Sequence, residues 1–165
     1  MIGVVSDTHD NLDLIEAAVS FFESEGVDVV VHCGDFVAPF SAMAFDRPAF
    51  EFYAVRGNND GEWKLREIID RFGTYLGEAG ELSIGGADVA VYHGTSELLT
   101  DALVDAGRHD FVLCGHTHER TVDERDGTVL VNPGGLPLSF ADDAFHVATI
   151  DPDERGSGAV THHKL

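Results

Sequence analysis

The sequence runs to 165 residues, 44% of them hydrophobic, with thirty Asp and Glu against ten Lys and Arg for a formal net charge of −20. That length predicts one domain over residues 1–165, and the apolar content excludes intrinsic disorder. The charge disfavours polyanion binding: with no Lys/Arg cluster to displace counterions, neither nucleic acid nor an anionic membrane is an expected partner.

The first apolar run, Ile2–Ser6, leads into Asp7. Asn11 then caps a predicted helix with Leu12, Ile15, Val19 and Phe22 on one face and Gly26 at its end. Val27–Cys33 is a second run, followed by a short helical segment near Phe40–Phe45. A third run, Phe50–Val55, precedes a helical stretch over Glu62–Phe72. Ala87–Tyr92 is the fourth. From Ser96 a helix is expected with Leu98, Leu99, Ala102, Leu103 and Ala106 on one face, closed by Gly107. Asp110–Cys114 is the fifth run. The length and β-branched content of these runs suit strands buried on both faces, alternating with helices as in an α/β sheet.

The last third changes character. Arg120–Glu124 and Thr128–Val131 flank Asp126-Gly127, a hairpin signal. Phe145–Ile150 and Ala159–His163 flank a second turn, Asp151–Gly158. A parallel half succeeded by an antiparallel one predicts two packed sheets with helices outside. No run is long and apolar enough for a transmembrane helix, and the first residues lack a secretory leader's basic and apolar regions. Cys33 and Cys114 form no disulfide framework and read as buried, reduced thiols, so the expected compartment is the cytoplasm. The acid-rich, lysine-poor composition resembles halophilic proteins, whose surface repulsion is screened in molar salt.

The residues that could carry chemistry stand at the ends of the five runs. Asp7 and His9 come after the first, Gly34-Asp35 after the second, and Gly57-Asn58-Asn59-Asp60 after the third. The fourth ends at His93-Gly94 and the fifth at Gly115-His116-Thr117-His118. A single Asp or His in a loop is ordinary. Metal-type side chains at five successive strand ends are not, because the carboxyl edge is where open α/β sheets build their sites.

In order and spacing these blocks resemble the five signature blocks of the calcineurin-like metallophosphoesterase superfamily. Ser6-Asp7-Thr8-His9-Asp10-Asn11, Gly115-His116-Thr117-His118 and Asn132-Pro133-Gly134-Gly135 are similar to its small prokaryotic phosphodiesterase branch, whose eukaryotic relative is a retromer scaffold subunit. The resemblance implies a four-layer α-β-β-α sandwich of two mixed sheets. It implies two divalent metal ions, with Asp7, His9 and His118 on one, Asn58, His93 and His116 on the other, and Asp35 bridging. Mn²⁺ is the first choice for so mixed a donor set, with Fe²⁺, Ni²⁺ and Zn²⁺ as alternatives. The implied reaction is hydrolysis of a small phosphoester by a hydroxide between the metals. A scaffold of the retromer type is the alternative, but it should have lost ligands, and all seven positions keep competent side chains. A homo-oligomer remains open.

Many superfamily members place a histidine after the asparagine ligand to protonate the leaving oxygen. Here that position is Asn59, whose amide cannot act as a general acid, which favours diesters over monoesters. Asn59 and Asp60 are then expected to orient neighbouring groups. His32 reads as a hydrogen-bonded core residue, and His109, His146, His162 and His163 as surface or structural. Asn132 is a candidate loop-shaping residue. Phe36, Phe40 and Trp63 could line the substrate mouth but fit the core better.

Overall fold

The computed structural model describes residues 1–136 and 144–165. Its first sheet has six strands in the order β11-β10-β1-β2-β3-β4 and its second has five, β5-β6-β7-β9-β8. Strands β1 (Ile2–Val5), β2 (Val29–His32), β3 (Glu51–Val55) and β4 (Thr74–Gly77) run parallel. β10 (His146–Ile150) and β11 (Val160–Lys164) extend that sheet, with β10 antiparallel to β1 and β11 antiparallel to β10. In the second sheet β6 (Ala87–Tyr92), β7 (Phe111–Leu113) and β9 (Thr128–Asn132) are parallel, and β5 (Ala79–Ile84) and β8 (Thr121–Arg125) are antiparallel edges.

Side-chain alternation along each strand decides the layers. In β1, Ile2 and Val4 face the second sheet and pack with Val31, Val91, Phe111 and Val131. Val5 faces the other way, into a cluster with Ile15, Val19, Phe22, Phe36 and Phe52 under helices α1 (Leu12–Glu25), α2 (Pro39–Ala42) and α3 (Lys64–Ile69). Gly3 lets α1 approach: a Cβ there would lie 2.8 Å from the Phe22 ring. Helix α4 (Glu97–Asp105) covers the outer face of the second sheet through Val104 and Leu103 against Ala90 and Val112. The result is the expected α-β-β-α sandwich of two mixed sheets. No helix among the described residues is long and apolar enough to cross a membrane.

Local signals were obeyed where they involve one chemical device. Asn11 caps α1 by accepting from the Leu14 N–H at 3.2 Å, and Gly26 ends it in the left-handed region. Asp126 and Gly127 both take positive φ, joining β8 to β9. One expectation needs correction, and two strands had no expectation at all. Helix α4 buries Thr100 and Val104, whereas Leu98 and Leu99 are 78% and 52% exposed. The helix sits on its sheet by only a few side chains, so its apolar stripe is wider than its contact. Strands β4 and β5 carry no apolar run that would announce them. Both are built from glycine and half-exposed residues, in β5 alternating with exposed ones. Only Glu78 separates them, so the chain steps there from one sheet to the other.

Candidate metal centre

The carboxyl ends of β1, β2 and β3 meet those of β6 and β7 at one edge of the sandwich. Both sheets therefore contribute. The loops after β1 and β2 are zipped together by Asp7 N–H to Gly34 O at 3.0 Å and His9 N–H to Asp35 O at 3.1 Å. Asp7 in turn accepts from the His116 N–H at 3.0 Å, which fixes the loop after β7 to the first sheet. Close approach demands glycine here: a Cβ on Gly57 would sit 2.1 Å from Asp35 Oδ1, and one on Gly115 would sit 1.9 Å from Ser6 Oγ.

All seven candidate ligands come together. Asp7, His9 and His118 place ligand atoms within 4.8 Å of one another, and so do Asp7, Asp35 and His93. His118 Nε2 lies 3.4 Å from Asp7 Oδ1, while Asp35 Oδ2 lies 3.8 Å from His9 Nε2 and 3.4 Å from His93 Nε2. Asp35 thus stands between two groups. Beyond it, Asn58 Oδ1 is 3.0 Å from His93 Nε2 and 2.8 Å from His116 Nδ1.

The far nitrogens of two histidines are tied down. His93 Nδ1 donates to Cys33 O at 2.7 Å and His118 Nδ1 to Leu136 O, so each ring turns Nε2 inward. Five of the seven residues, Asp7, His9, Asp35, His116 and His118, hold positive φ. That conformation costs on the order of 1–3 kcal/mol per non-glycine residue and persists only where surrounding contacts enforce it. Asp60 is one such contact. Its buried carboxylate accepts from the Asp35, Gly57 and Val37 N–H groups at 3.0, 2.8 and 2.8 Å, locking two loops together.

Asp7 and Asp35 are 0% and 1% exposed, yet no Lys or Arg pairs with either among the described residues. Two buried carboxylates facing imidazoles rather than Lys or Arg suit an added cation. Burial works against ionising Asp35, but the His93 ring 3.4 Å away and hydrogen bonds from the Asn59 backbone and side chain outweigh it and hold the carboxyl well below its usual range. The thiols do not compete as ligands, because burial pushes Cys33 up, and burial with the Asp7 charge pushes Cys114 up to about 12. The donor set therefore fits divalent metal, and the oxygen and imidazole mixture excludes a structural thiolate site.

The remaining candidates separate cleanly. His32 is a fully buried core residue stacked on Phe36, and Phe36 belongs to the core. Phe40 and Trp63 are 52% and 76% exposed, outside the core. Asn132 shapes its loop by donating to Gly115 O at 2.7 Å and Thr117 Oγ1 at 3.0 Å while accepting from Gly134 N–H. His109 pairs with Glu81, His162 donates to Asn132 O, and His163 meets Thr149. His146 is buried and lines a cavity beside His118 together with Arg120, a residue that no sequence motif singles out. Its only signal was the scarcity of cations.

Residues 1–155 match the model of the calcineurin-like phosphoesterase superfamily domain. A phosphodiesterase of Methanocaldococcus jannaschii is 36% identical over 136 residues, covering 81% of this chain and 82% of its own. The solved structure of an archaeal phosphodiesterase superposes with a TM-score of 0.87 at 31% identity, over 99% of both chains. Vps29 of Entamoeba histolytica, solved with zinc, shares the fold at 18% identity with a TM-score of 0.66, over 99% of this chain and 97% of its own.

Proposed function

The chain belongs to the calcineurin-like phosphoesterase superfamily and is a metal-dependent phosphoric ester hydrolase, and from that premise we propose a phosphodiesterase that cleaves small organic phosphodiesters at a pair of divalent ions, Mn²⁺ by preference. The observation that carries the reading is the pair of buried carboxylates, Asp7 and Asp35, facing imidazoles with no Lys or Arg among them. Asp7, His9 and His118 would hold one ion, Asn58, His93 and His116 the other, and Asp35, standing between the groups, would serve both. Bound metals supply polarisation of the phosphoryl oxygens and a water acidified into a nucleophile.

The chain's own residues do the rest. Asp60 and Asn59 hold Asp35 in place, and the carbonyls of Cys33 and Leu136 hold two imidazoles in the ligating tautomer. With only two anionic ligands in seven, a centre holding two divalent ions would keep net positive charge and attract an anionic ester into a strongly acidic protein. Two cavities flank it, about 440 Å³ beside His118 and about 450 Å³ beside His116, room for two ester arms rather than one. Asn59 can donate no acidic proton to a departing alkoxide, and its amide is committed to Asp35 at 2.7 Å. Protonated, inert Cys33 and Cys114 suit a cytoplasmic setting.

The test is a screen of the Mn²⁺-reconstituted protein at high salt against alkyl and aryl mono- and diesters, for wild type and Asn59→His. Diesters should exceed monoesters in kcat/KM. Asn59→His should gain on alkyl monoesters, where a poor leaving group benefits most from a proton donor. An unchanged alkyl-to-aryl ratio with intact metal content would remove Asn59 as the cause. Absence of diester hydrolysis in the fully loaded protein would overturn the assignment.

A further inference from the structure

We propose that Arg120 and the cavity it lines receive an ester arm of the substrate bearing a second anionic group, a carboxylate or a phosphate, remote from the scissile bond. The inference rests on the phosphodiesterase reading and assigns a chemistry to one of its two arms. The cavity measures about 440 Å³ and His118 is part of its lining, so whatever fills it adjoins the candidate metal centre. Val122 gives it an apolar wall, while His146 and His162 give it polar ones.

Arg120 shares with Arg108 alone the lack of a carboxylate or ring partner among the described residues, and of the two only Arg120 lines a cavity with a candidate metal ligand, His118. Arg47, Arg56, Arg71, Arg125 and Arg155 each pair with a carboxylate, and Arg66 lies over the Tyr75 ring. Arg108 makes no ion pair within 4.0 Å among the described residues but shares its cavity with Glu81 and Asp88. Arg120 pairs with no carboxylate among the described residues, although Glu119 lines the same cavity. In a chain with thirty acids and ten basic side chains, a guanidinium with no carboxylate partner among the described residues, in a cavity that His118 also lines, is a scarce anion-binding group.

Its position is built rather than incidental. A Cβ on Gly134 would lie 2.8 Å from Arg120 Cγ, so the arginine stem runs flat against a glycine held at φ +102. That glycine is anchored by its N–H to Asn132 Oδ1 at 2.9 Å, and Asn132 also holds Gly115 O in the loop bearing His116 and His118. One asparagine thus sets both the metal-ligand loop and the bed on which Arg120 rests. A guanidinium presents a planar fork that matches a carboxylate or phosphate, which a point-like ammonium would not.

The experiment compares three p-nitrophenyl diesters with one leaving group and different second arms: ethyl, glycolate (a carboxylate) and phosphoethyl (a phosphate). Wild type should prefer an anionic arm over ethyl in kcat/KM by about tenfold, expressed in KM, the worth of one charge-assisted hydrogen bond. The larger of the two anionic preferences identifies the group. In Arg120→Gln that ratio should fall to near one, and in Arg120→Lys it should be partly retained. Calorimetry of ethyl(2-carboxyethyl)phosphinate against diethylphosphinate, whose C–P bonds cannot be hydrolysed, on the Mn²⁺-loaded protein reads the same preference without turnover. An inactive preparation would therefore sink the diesterase assignment while this assignment is still decided. A wild-type ratio of one, or equal losses on all three diesters in Arg120→Gln, would overturn the anionic-arm assignment; equal losses would place Arg120 on the reacting phosphoryl group.

Discussion

Asn59 donates twice to Asp35, from its backbone N–H to Oδ1 at 2.8 Å and from its side-chain amide to Oδ2 at 2.7 Å. The residue that replaces a general acid is therefore a fixture of the carboxylate that stands between the two ligand groups. Outer partners of this kind are worth about 10–100-fold in metal affinity. Titration of the metal-free protein with Mn²⁺ should saturate near two equivalents in wild type. Asn59→Leu should keep that stoichiometry with affinity weakened by about 10–100-fold, because the backbone bond survives. Asp35→Ala should bind one equivalent. Two tight equivalents in Asp35→Ala would show that Asp35 does not serve both ions.

Asp60 accepts three backbone N–H groups, two of them from the buried residues Asp35 and Gly57. Removing an acceptor leaves each donor unsatisfied at a cost of about 1–3 kcal/mol. Asp60→Ala should lose roughly 3 kcal/mol or more in denaturant unfolding, and Asp60→Asn, which keeps one good acceptor oxygen, less. A loss within about 0.5 kcal/mol, the usual range for an uninvolved surface position, would mean that Asp60 does not clamp the loops.

His32 should make stability fall with acid. Its Nδ1 accepts from the Gly34 N–H at 3.1 Å, so Nε2 carries the proton and donates to Thr8 Oγ1 at 3.1 Å. Burial, aided by the nearby His93 imidazole, drives its pKa well below 6.5. The folded form stays neutral while the unfolded chain protonates, so the contribution is present above about pH 6.5 and fades below it, at up to about 1.4 kcal/mol per pH unit. Urea unfolding of wild type and His32→Asn between about pH 7 and 5 isolates it. Parallel curves for the two proteins would contradict a buried neutral imidazole.

Net charge predicts a dependence on salt. With an excess of twenty acidic charges, the folded chain repels itself at low ionic strength. Screening shortens from about 10 Å at 0.1 M to about 3 Å at 1 M, so Tm should rise between those concentrations of KCl. A flat or falling Tm would contradict the halophilic reading. Potassium chloride is the appropriate salt because neither of its ions competes strongly at a site of carboxylate and imidazole donors.

The sequence by itself determined the parts of this protein that depend on near neighbours along the chain. Apolar runs of limited length marked the buried strands, Asn11 and Gly26 marked the ends of α1, and a metal-type residue at the end of each of five runs marked the site edge. It could not reveal β4 and β5, because strands with exposed positions need no apolar run. The apolar stripe of α4 overstated its burial, because how much of a stripe is covered depends on the area of sheet beneath it. The tertiary structure alone decided that His93 reaches from the second sheet to the Cys33 carbonyl of the first, and that Asp35 stands between His9 and His93. It also set Arg120 beside His118 with no carboxylate partner among the described residues. Those are distances across two sheets, set by how the sandwich packs. A linear pattern fixes which groups reach an edge, and packing fixes which of them meet.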